Sequence, residues 1–283
     1  MSSSNKVIVT CAVSGAVHDR SHCLYTPYTP QEIAEECLRA YNAGASVAHI
    51  HARENDGRPS WRVDVFKEIK EEVRKRCPII INFSTGAVGV SREERIAYID
   101  EATPDIAALN MGAMSYAKYS PVKKKFAFSM VYNNPIDDVI YFLDEMNKHG
   151  VFPECECYDI GHIEMIFPLI DMGLLKNFRI SLIMGQVGIM LATPRNLIHA
   201  SNVVPTGICW EVITFRAEAW RMIALALSLG GDVRVGIEDN YYLSEGVMAE
   251  GNGPLVEKAV RMARDIGREP TTVEETRTIL ELG

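Results

Sequence analysis

Short β-branched runs alternate with amphipathic stretches along the whole chain. Lys6–Ala12 (KVIVTCA) is apolar and ends at Ser14-Gly15, the pattern of a buried strand that gives way to a loop. Thr29-Pro30-Gln31-Glu32 carries a helix start: a hydroxyl cap, proline at the first helical position and a glutamate three residues after the cap. That helix is expected to run to Asn42 and stop at Gly44. A second strand, Ser46–Ile50, follows. After the turn Asn55-Asp56-Gly57, a helix is predicted over Arg62–Arg76, with Val65, Ile69 and Val73 along one face. The unit then recurs. Further strands are expected at Pro78–Asn82, Ile106–Leu109, Pro153–Tyr158, Arg179–Met184, Gly207–Ile213 and Val233–Ile237. Helices are expected at Ser91–Asp100, Pro135–Lys148, His162–Met172, Pro194–Ala200 and Ala217–Leu229.

Eight strands alternating with helices at this chain length predict an α/β fold, a (β/α)8 TIM barrel, over a doubly wound open sheet. All of residues 1–283 are expected to form one domain. Ala113–Asn134 is longer than a connection needs, so it reads as an insertion after strand four, a lid or subunit contact, with Phe126–Tyr132 as an added strand. Pro254–Leu282 reads as two C-terminal helices covering an outer face.

Composition narrows the function without naming it. Hydrophobic residues make up 47% and charged residues 23%, as in an ordinary globular protein. With 29 Lys and Arg against 37 Asp and Glu, the net charge of -8 argues against nucleic acid as a partner. No apolar signal segment precedes the first strand and no membrane-length apolar run follows, so a soluble, unexported protein is expected. The seven cysteines are scattered and never spaced Cys-x-x-Cys, which suits reduced thiols in the cytoplasm. Cys155 and Cys157 alternate as two thiols on one strand face.

The chemistry centres on His49-Ile50-His51, at the carboxyl end of the second strand. Residues two apart on a strand share a face, so both imidazoles point the same way. Imidazole is a ligand for zinc and other divalent transition metals, and a catalytic zinc takes about three protein ligands. Alone, the pair suits either a metal or hydrogen bonds to a loop. In such a barrel the active site lies at the carboxyl ends of the strands. There the eighth strand closes as Arg234-Val235-Gly236-Ile237-Glu238-Asp239-Asn240. If Glu238 keeps the strand register it shares the inward face with Arg234, and it becomes the expected third ligand. Asn82-Phe83-Ser84-Thr85-Gly86-Ala87 offers a hydroxyl and backbone N–H groups for a carboxylate. Asn110-Met111-Gly112 closes strand four, and Glu154, Glu156 and Asp159 cluster at strand five, where one acid is expected to orient a ligand.

Taken together, these pieces resemble the β-keto acid cleavage enzyme family. The likeness runs through VTCAVSGA, the His49-Ile50-His51 pair, Asn82-Phe83-Ser84-Thr85-Gly86, Asn110-Met111-Gly112, Glu154-Cys155-Glu156-Cys157-Tyr158-Asp159-Ile160-Gly161-His162 and the ending Arg234–Asn240. The resemblance implies a zinc-dependent barrel, a homo-oligomer with a tetramer expected. It implies that a β-keto acid and acetyl-CoA give acetoacetate and the CoA ester of the remaining acyl fragment. It also implies zinc on His49, His51 and Glu238, the keto acid near Ser84 and Asn110, and proton transfer by Arg234 with Asp239. A guanidinium is almost always protonated, so Arg234 would need strong coupling to Asp239 to act as a base. Two departures bear on the substrate. Val17 stands where a member acting on an amino-bearing keto acid has a carboxylate, and Ala87 where it has a second glycine. The expectation is a neutral or apolar acyl tail. No glycine-rich phosphate loop is present, which leaves Lys123-Lys124-Lys125 and Arg195 as candidates for CoA. The alternatives are a metal-dependent barrel hydrolase or aldolase that does not use CoA, and a non-catalytic barrel. An inward Arg234 argues against the last, since an internal cation is costly unless paired or used.

Overall fold

A computed structural model describes residues 5–216 and 219–283. Eight parallel strands close into a barrel in chain order: β1 (Val9–Ala12), β2 (Val47–Ile50), β3 (Ile80–Ser84), β4 (Ile106–Asn110), β5 (Phe152–Cys157), β6 (Arg179–Met184), β7 (Trp210–Thr214) and β8 (Asp232–Val235). Strand β8 pairs with β1 and β1 with β2, so the two histidines and the closing segment flank the same strand. The strands are buried on both faces: apolar side chains such as Val9, Cys11, Ile81 and Phe83 pack outward under the helices, as a parallel sheet requires, while the inward face carries polar and charged groups such as Thr10, Glu154, Arg179 and Glu211.

The helix starts follow local chemistry. Thr29 and Glu32 form a reciprocal capping box for helix Pro30–Ala43, which ends on left-handed Gly44. Helix Val63–Arg76 buries Phe66, Ile69 and Val73, with a basic last turn that suits the helix dipole. Two expected helices are each broken in two: Arg92–Ile96 with Tyr98–Ala102, and Ile160–Glu164 with Ile166–Asp171. The described part of the helix expected at Ala217–Leu229 is Ala219–Ser228, and its first two expected residues lie outside the described residues.

Three differences from the expected elements have physical reasons. The first run splits: Lys6–Val7 leaves the barrel to pair in parallel with Glu269–Pro270. The insertion is a two-stranded antiparallel hairpin, Met114–Ser120 with Lys125–Tyr132, because an edge strand outside the barrel needs a partner for its backbone. In the tail, helix Gly253–Asp265 packs outside, against helix Pro30–Ala43. Helix Val273–Leu280 instead joins Ile8, Val47, Ile80, Ile106 and Phe152 in a separate apolar cluster through Val273 and Leu280. It covers the amino-terminal end of the barrel, opposite the carboxyl ends of the strands where His49 and Glu238 lie. Among the described residues, no helix is long and apolar enough to cross a membrane.

Candidate metal centre

His49 and His51 arrive from β2 as the alternation predicts, but Glu238 does not arrive by strand register. Strand β8 ends at Val235, and the chain turns through Gly236, where φ is +141° and an added Cβ would lie 2.2 Å from the Ala12 carbonyl oxygen. Only glycine allows that approach. The turn is held by Asn240 N–H donating to Gly236 O at 2.9 Å and Ile237 N–H donating to Asn252 Oδ1 at 2.9 Å. It still delivers the carboxylate. Glu238 Oε1 lies 3.7 Å from His49 Nε2 and 3.4 Å from His51 Nε2. Gly15 lies directly against this side chain, since a Cβ there would be 2.9 Å from Glu238 Cγ.

The donor set fits a divalent metal. Ligands at the usual zinc bond lengths stand about 3.4 Å apart in a tetrahedron, and the carboxylate stands 3.4 and 3.7 Å from the two imidazoles, with all three donors within 4.8 Å of one another. Burial, with Arg234 next in importance, holds His49 well below the usual histidine range, so its ring is neutral and able to bind a cation. Burial would raise Glu238, but Arg234 and then the two imidazoles outweigh it and keep the carboxyl well below its usual range. Glu238 Oε2 is buried without a hydrogen-bond partner. His49 also lies within 4.8 Å of Glu154 and Glu156 in a wholly buried group. That second grouping is the poorer one: Glu154 is tied to Arg179, and burial pushes Glu156 up to about 8, leaving it largely protonated.

Arg234 crosses the centre. Its Nε donates to Asp239 Oδ2 at 2.9 Å and its Nη2 to Asp239 Oδ1 at 3.0 Å and Glu238 Oε1 at 2.8 Å, while Glu156 Oε1 is 3.4 Å from Nη1. These carboxylates outweigh burial and raise its pKa well above the ordinary value, so it stays a cation. Burial raises Asp239 to about 6 despite Arg234. Of this pair, the carboxylate is the group whose proton is exchangeable near neutral pH.

Ser84 and Asn110 are brought to the same place. A Cβ added to Gly86 would lie 3.2 Å from Ser84 Oγ, 3.4 Å from Asn110 Oδ1 and 3.9 Å from His51 Cε1. Ser84 Oγ accepts from Gly86 N–H at 3.1 Å. Ala87 borders a cavity of about 290 Å3 that it shares with Val90, Arg95, Val131 and Tyr132. Val17 is not gathered in: it is 72% exposed on the loop after β1. The lysine run at 123–125 lies at the hairpin tip, exposed. His162 is structural: its Nδ1 accepts from Tyr158 N–H at 3.2 Å, and its ring fills the space beside Gly112.

The sequence reading missed two arginines and two tyrosines. Arg53 is 2% exposed and donates to the carbonyls of Ser14, Gly15, Gly57 and His18, shaping the loop that carries Gly15 under Glu238. Arg95 and Tyr132 reach Asn110 from outside the barrel, and Tyr158 follows β5. Only Tyr158 had a local signal, since it continues the alternation Glu154, Glu156 toward the barrel mouth.

Comparison with known proteins agrees with this architecture. A family profile described as beta-keto acid cleavage enzyme matches residues 6–282. The chain is similar to a 3-keto-5-aminohexanoate cleavage enzyme of Acetoanaerobium sticklandii, 38% identical over 278 residues that cover 97% of this chain and 98% of the relative. It is also similar to a 3,5-dioxohexanoate:acetyl-CoA acetone transferase of Paraburkholderia graminis, 30% identical over 303 residues, covering 100% of this chain and 97% of the relative. Among solved structures, the apo structure of ObcA superposes with a TM-score of 0.74 at 20% identity, covering 92% of this chain and 66% of that one, a likeness of fold.

Proposed function

The chain belongs to the β-keto acid cleavage enzyme family, and on that premise we propose that it is a zinc-dependent enzyme converting a β-keto acid and acetyl-CoA into acetoacetate and an acyl-CoA. The observation that carries this reading is the convergence of His49, His51 and Glu238 at the open end of the barrel, beside the Arg234–Asp239 pair. Bound there, zinc would act as a Lewis acid on the keto acid's carbonyl. His49 and His51 serve as neutral donors and Glu238 as the anionic one. Asp239 takes the proton from C2 of the keto acid, and Arg234 orients Asp239 by its two hydrogen bonds and stabilises the negative charge that develops. C2 then bonds to the thioester carbonyl carbon of acetyl-CoA, and CoA leaves as thiolate. The thiolate attacks the original C3 carbonyl, the C2–C3 bond breaks, and the acyl fragment departs as its CoA ester. Asp239 returns the proton to C2, releasing acetoacetate.

Ser84 and Asn110 border the keto acid, with the Ser84 hydroxyl as the donor for its carboxylate, since the Thr85 and Gly86 N–H groups are held by Ala108 O and Ser84 Oγ. Val17 brings no charge to the loop after β1, and Ala87 none to the cavity it borders, which supports a neutral or apolar tail. One relative is named for an amino-bearing keto acid, 3-keto-5-aminohexanoate, and the uncharged Val17 is the residue on which a different tail is proposed for this chain. The exposed apolar side chains of the hairpin, Val122 at 92% and Phe126 at 57%, support a subunit contact, and the homotetramer is proposed from the family resemblance. The free cysteines support a cytoplasmic location.

One assay tests the reading: acetyl-CoA-dependent formation of acetoacetate from a panel of 3-keto acids, with and without a chelator. Activity is expected on unsubstituted 3-keto acids, to be lost on chelation and restored by zinc. Turnover of 3-keto-5-aminohexanoate faster than of unsubstituted acids would remove the apolar tail, and turnover without CoA would favour an aldolase.

A further inference from the structure

Hydrogen-bond direction around Asn110 is decided from outside the barrel. Arg95, on the short helix Arg92–Ile96, is 3% exposed and makes no ion pair among the described residues. Its Nε donates to Thr85 O at 2.8 Å, Nη1 to Asn134 Oδ1 at 3.0 Å and Nη2 to the Tyr132 hydroxyl at 2.9 Å. The guanidinium stacks on the Phe142 ring at 4.6 Å, which fixes its plane. A guanidinium can only donate. The Tyr132 oxygen therefore accepts from Arg95, and its single proton goes to Asn110 Oδ1, 2.6 Å away.

That step settles which end of the Asn110 amide is oxygen, a choice that heavy-atom positions leave open. The two protons of Nδ2 are then committed, one to Glu156 Oε2 and one to the Tyr158 hydroxyl at 2.6 Å. Asn134 Nδ2 donates to the Asn110 backbone carbonyl and holds the residue in place. Asn110 has no proton left for a ligand. Tyr158 does, because its oxygen accepts from Asn110 and its own proton has no acceptor among the described residues. Tyr158 is half-buried at the end of β5, its phenol feels Glu156, Arg234 and Glu238 electrostatically, and an edge contact with His162 at 6.0 Å steadies the ring.

We propose that Tyr158 donates a further hydrogen bond, beside that of Ser84, to the carboxylate of the keto acid, and that Arg95, Tyr132 and Asn110 form a one-way chain that positions it. Asn110 is then a positioning residue rather than a direct substrate ligand. Burial raises the phenol's pKa well above its ordinary value, so the donor proton stays on across the working pH range.

The inference rests on the β-keto acid reading of the site, and its test uses binding as well as turnover. Acetoacetate, itself a β-keto acid, is titrated calorimetrically into zinc-loaded wild-type, Tyr158→Phe, Tyr132→Phe and double-variant protein. Loss of a charge-assisted hydrogen bond predicts about 10- to 100-fold weaker binding for Tyr158→Phe, with zinc content and KM for acetyl-CoA unchanged. Tyr132→Phe is expected to lose less, and adding it to Tyr158→Phe to cost nothing more, because both act through one bond. Equal binding by wild type and Tyr158→Phe, or additive losses in the double variant, overturns the inference. If Tyr158→Phe is indifferent while the wild type turns over 3-keto acids, this inference alone fails. A wild type that neither binds acetoacetate nor forms it overturns the proposed function together with this inference.

Discussion

Two arginines lie inside the same barrel, each buried and each between carboxylates, and they end in different roles. Arg179 is 1% exposed and contacts Glu154 and Glu211, both 0% exposed. Thr10 Oγ1 donates to Glu211 at 2.7 Å and accepts from Arg179 at 3.0 Å, and Ser181 donates to Glu211 at 3.1 Å. This cluster ties β1, β5, β6 and β7 together within the closed part of the barrel. Arg234, nearer the mouth, faces three carboxylates, Glu156, Glu238 and Asp239, with two imidazoles alongside. His51 and Glu238 each keep 16% of their side-chain surface. Both clusters carry excess negative charge. A proton relieves part of it in each, since burial pushes Glu211 up to about 7 in the sealed cluster and Glu156 up to about 8 in the open one. In the open one a cation can arrive from solvent. The same residue types become a brace or a centre of chemistry according to access, and access follows from which barrel end the last helix closes.

Substitutions on either side of that contrast should have separable effects. The largest belongs to the open cluster: Glu238→Gln is expected to abolish metal retention and lower acetoacetate formation by about 10^3-fold or more, since a Lewis acid contributes several kcal/mol. Metal analysis beside initial rates checks it, and undiminished metal content would break the contrast. In the sealed cluster, Arg179→Met leaves two buried carboxylates without their cation and should cost about 3–5 kcal/mol of stability. Urea unfolding reads that loss, while metal affinity of the folded protein should hold. Gly15→Ala comes next. Its methyl group would press on Glu238 Cγ at a backbone φ of +61°, so metal affinity should fall by about 10- to 100-fold in a chelator competition.

The smallest effect is one of pH. Glu211 binds its proton more tightly in the folded chain, at about 7, than at the unfolded carboxylate value of 4.5. The stability it contributes is therefore complete below about pH 4.5 and lost as the pH rises through 7, at no more than about 1.4 kcal/mol per pH unit. Glu211→Gln should flatten that part of the stability profile, and an unchanged slope would assign the titration to another group.

The barrel was readable because its signals are local. Thr29, Pro30 and Glu32 announce their helix, and β-branched runs announce the strands, because capping and burial act within a few residues. His49 and His51 share a face for the same reason. The helices predicted at Ser91–Asp100 and His162–Met172 hid their breaks, since propensity does not register where a segment must bend to stay on a curved sheet. Val17 shows the limit at single residues: its place in the chain suggested a pocket wall, while the loop leaves it largely in solvent.

By itself the sequence determined the alternation, the hydrophobic faces and the paired imidazoles, all of which depend on neighbours in the chain. Tertiary structure decided the rest. Glu238 reaches the histidines through a turn that Gly236 permits against Ala12, and Asn110 is oriented by Arg95 and Tyr132 from outside the barrel. Those outcomes hang on contacts between residues far apart in sequence. Periodicity, which encodes which face a side chain takes, carries no record of what waits on the other side.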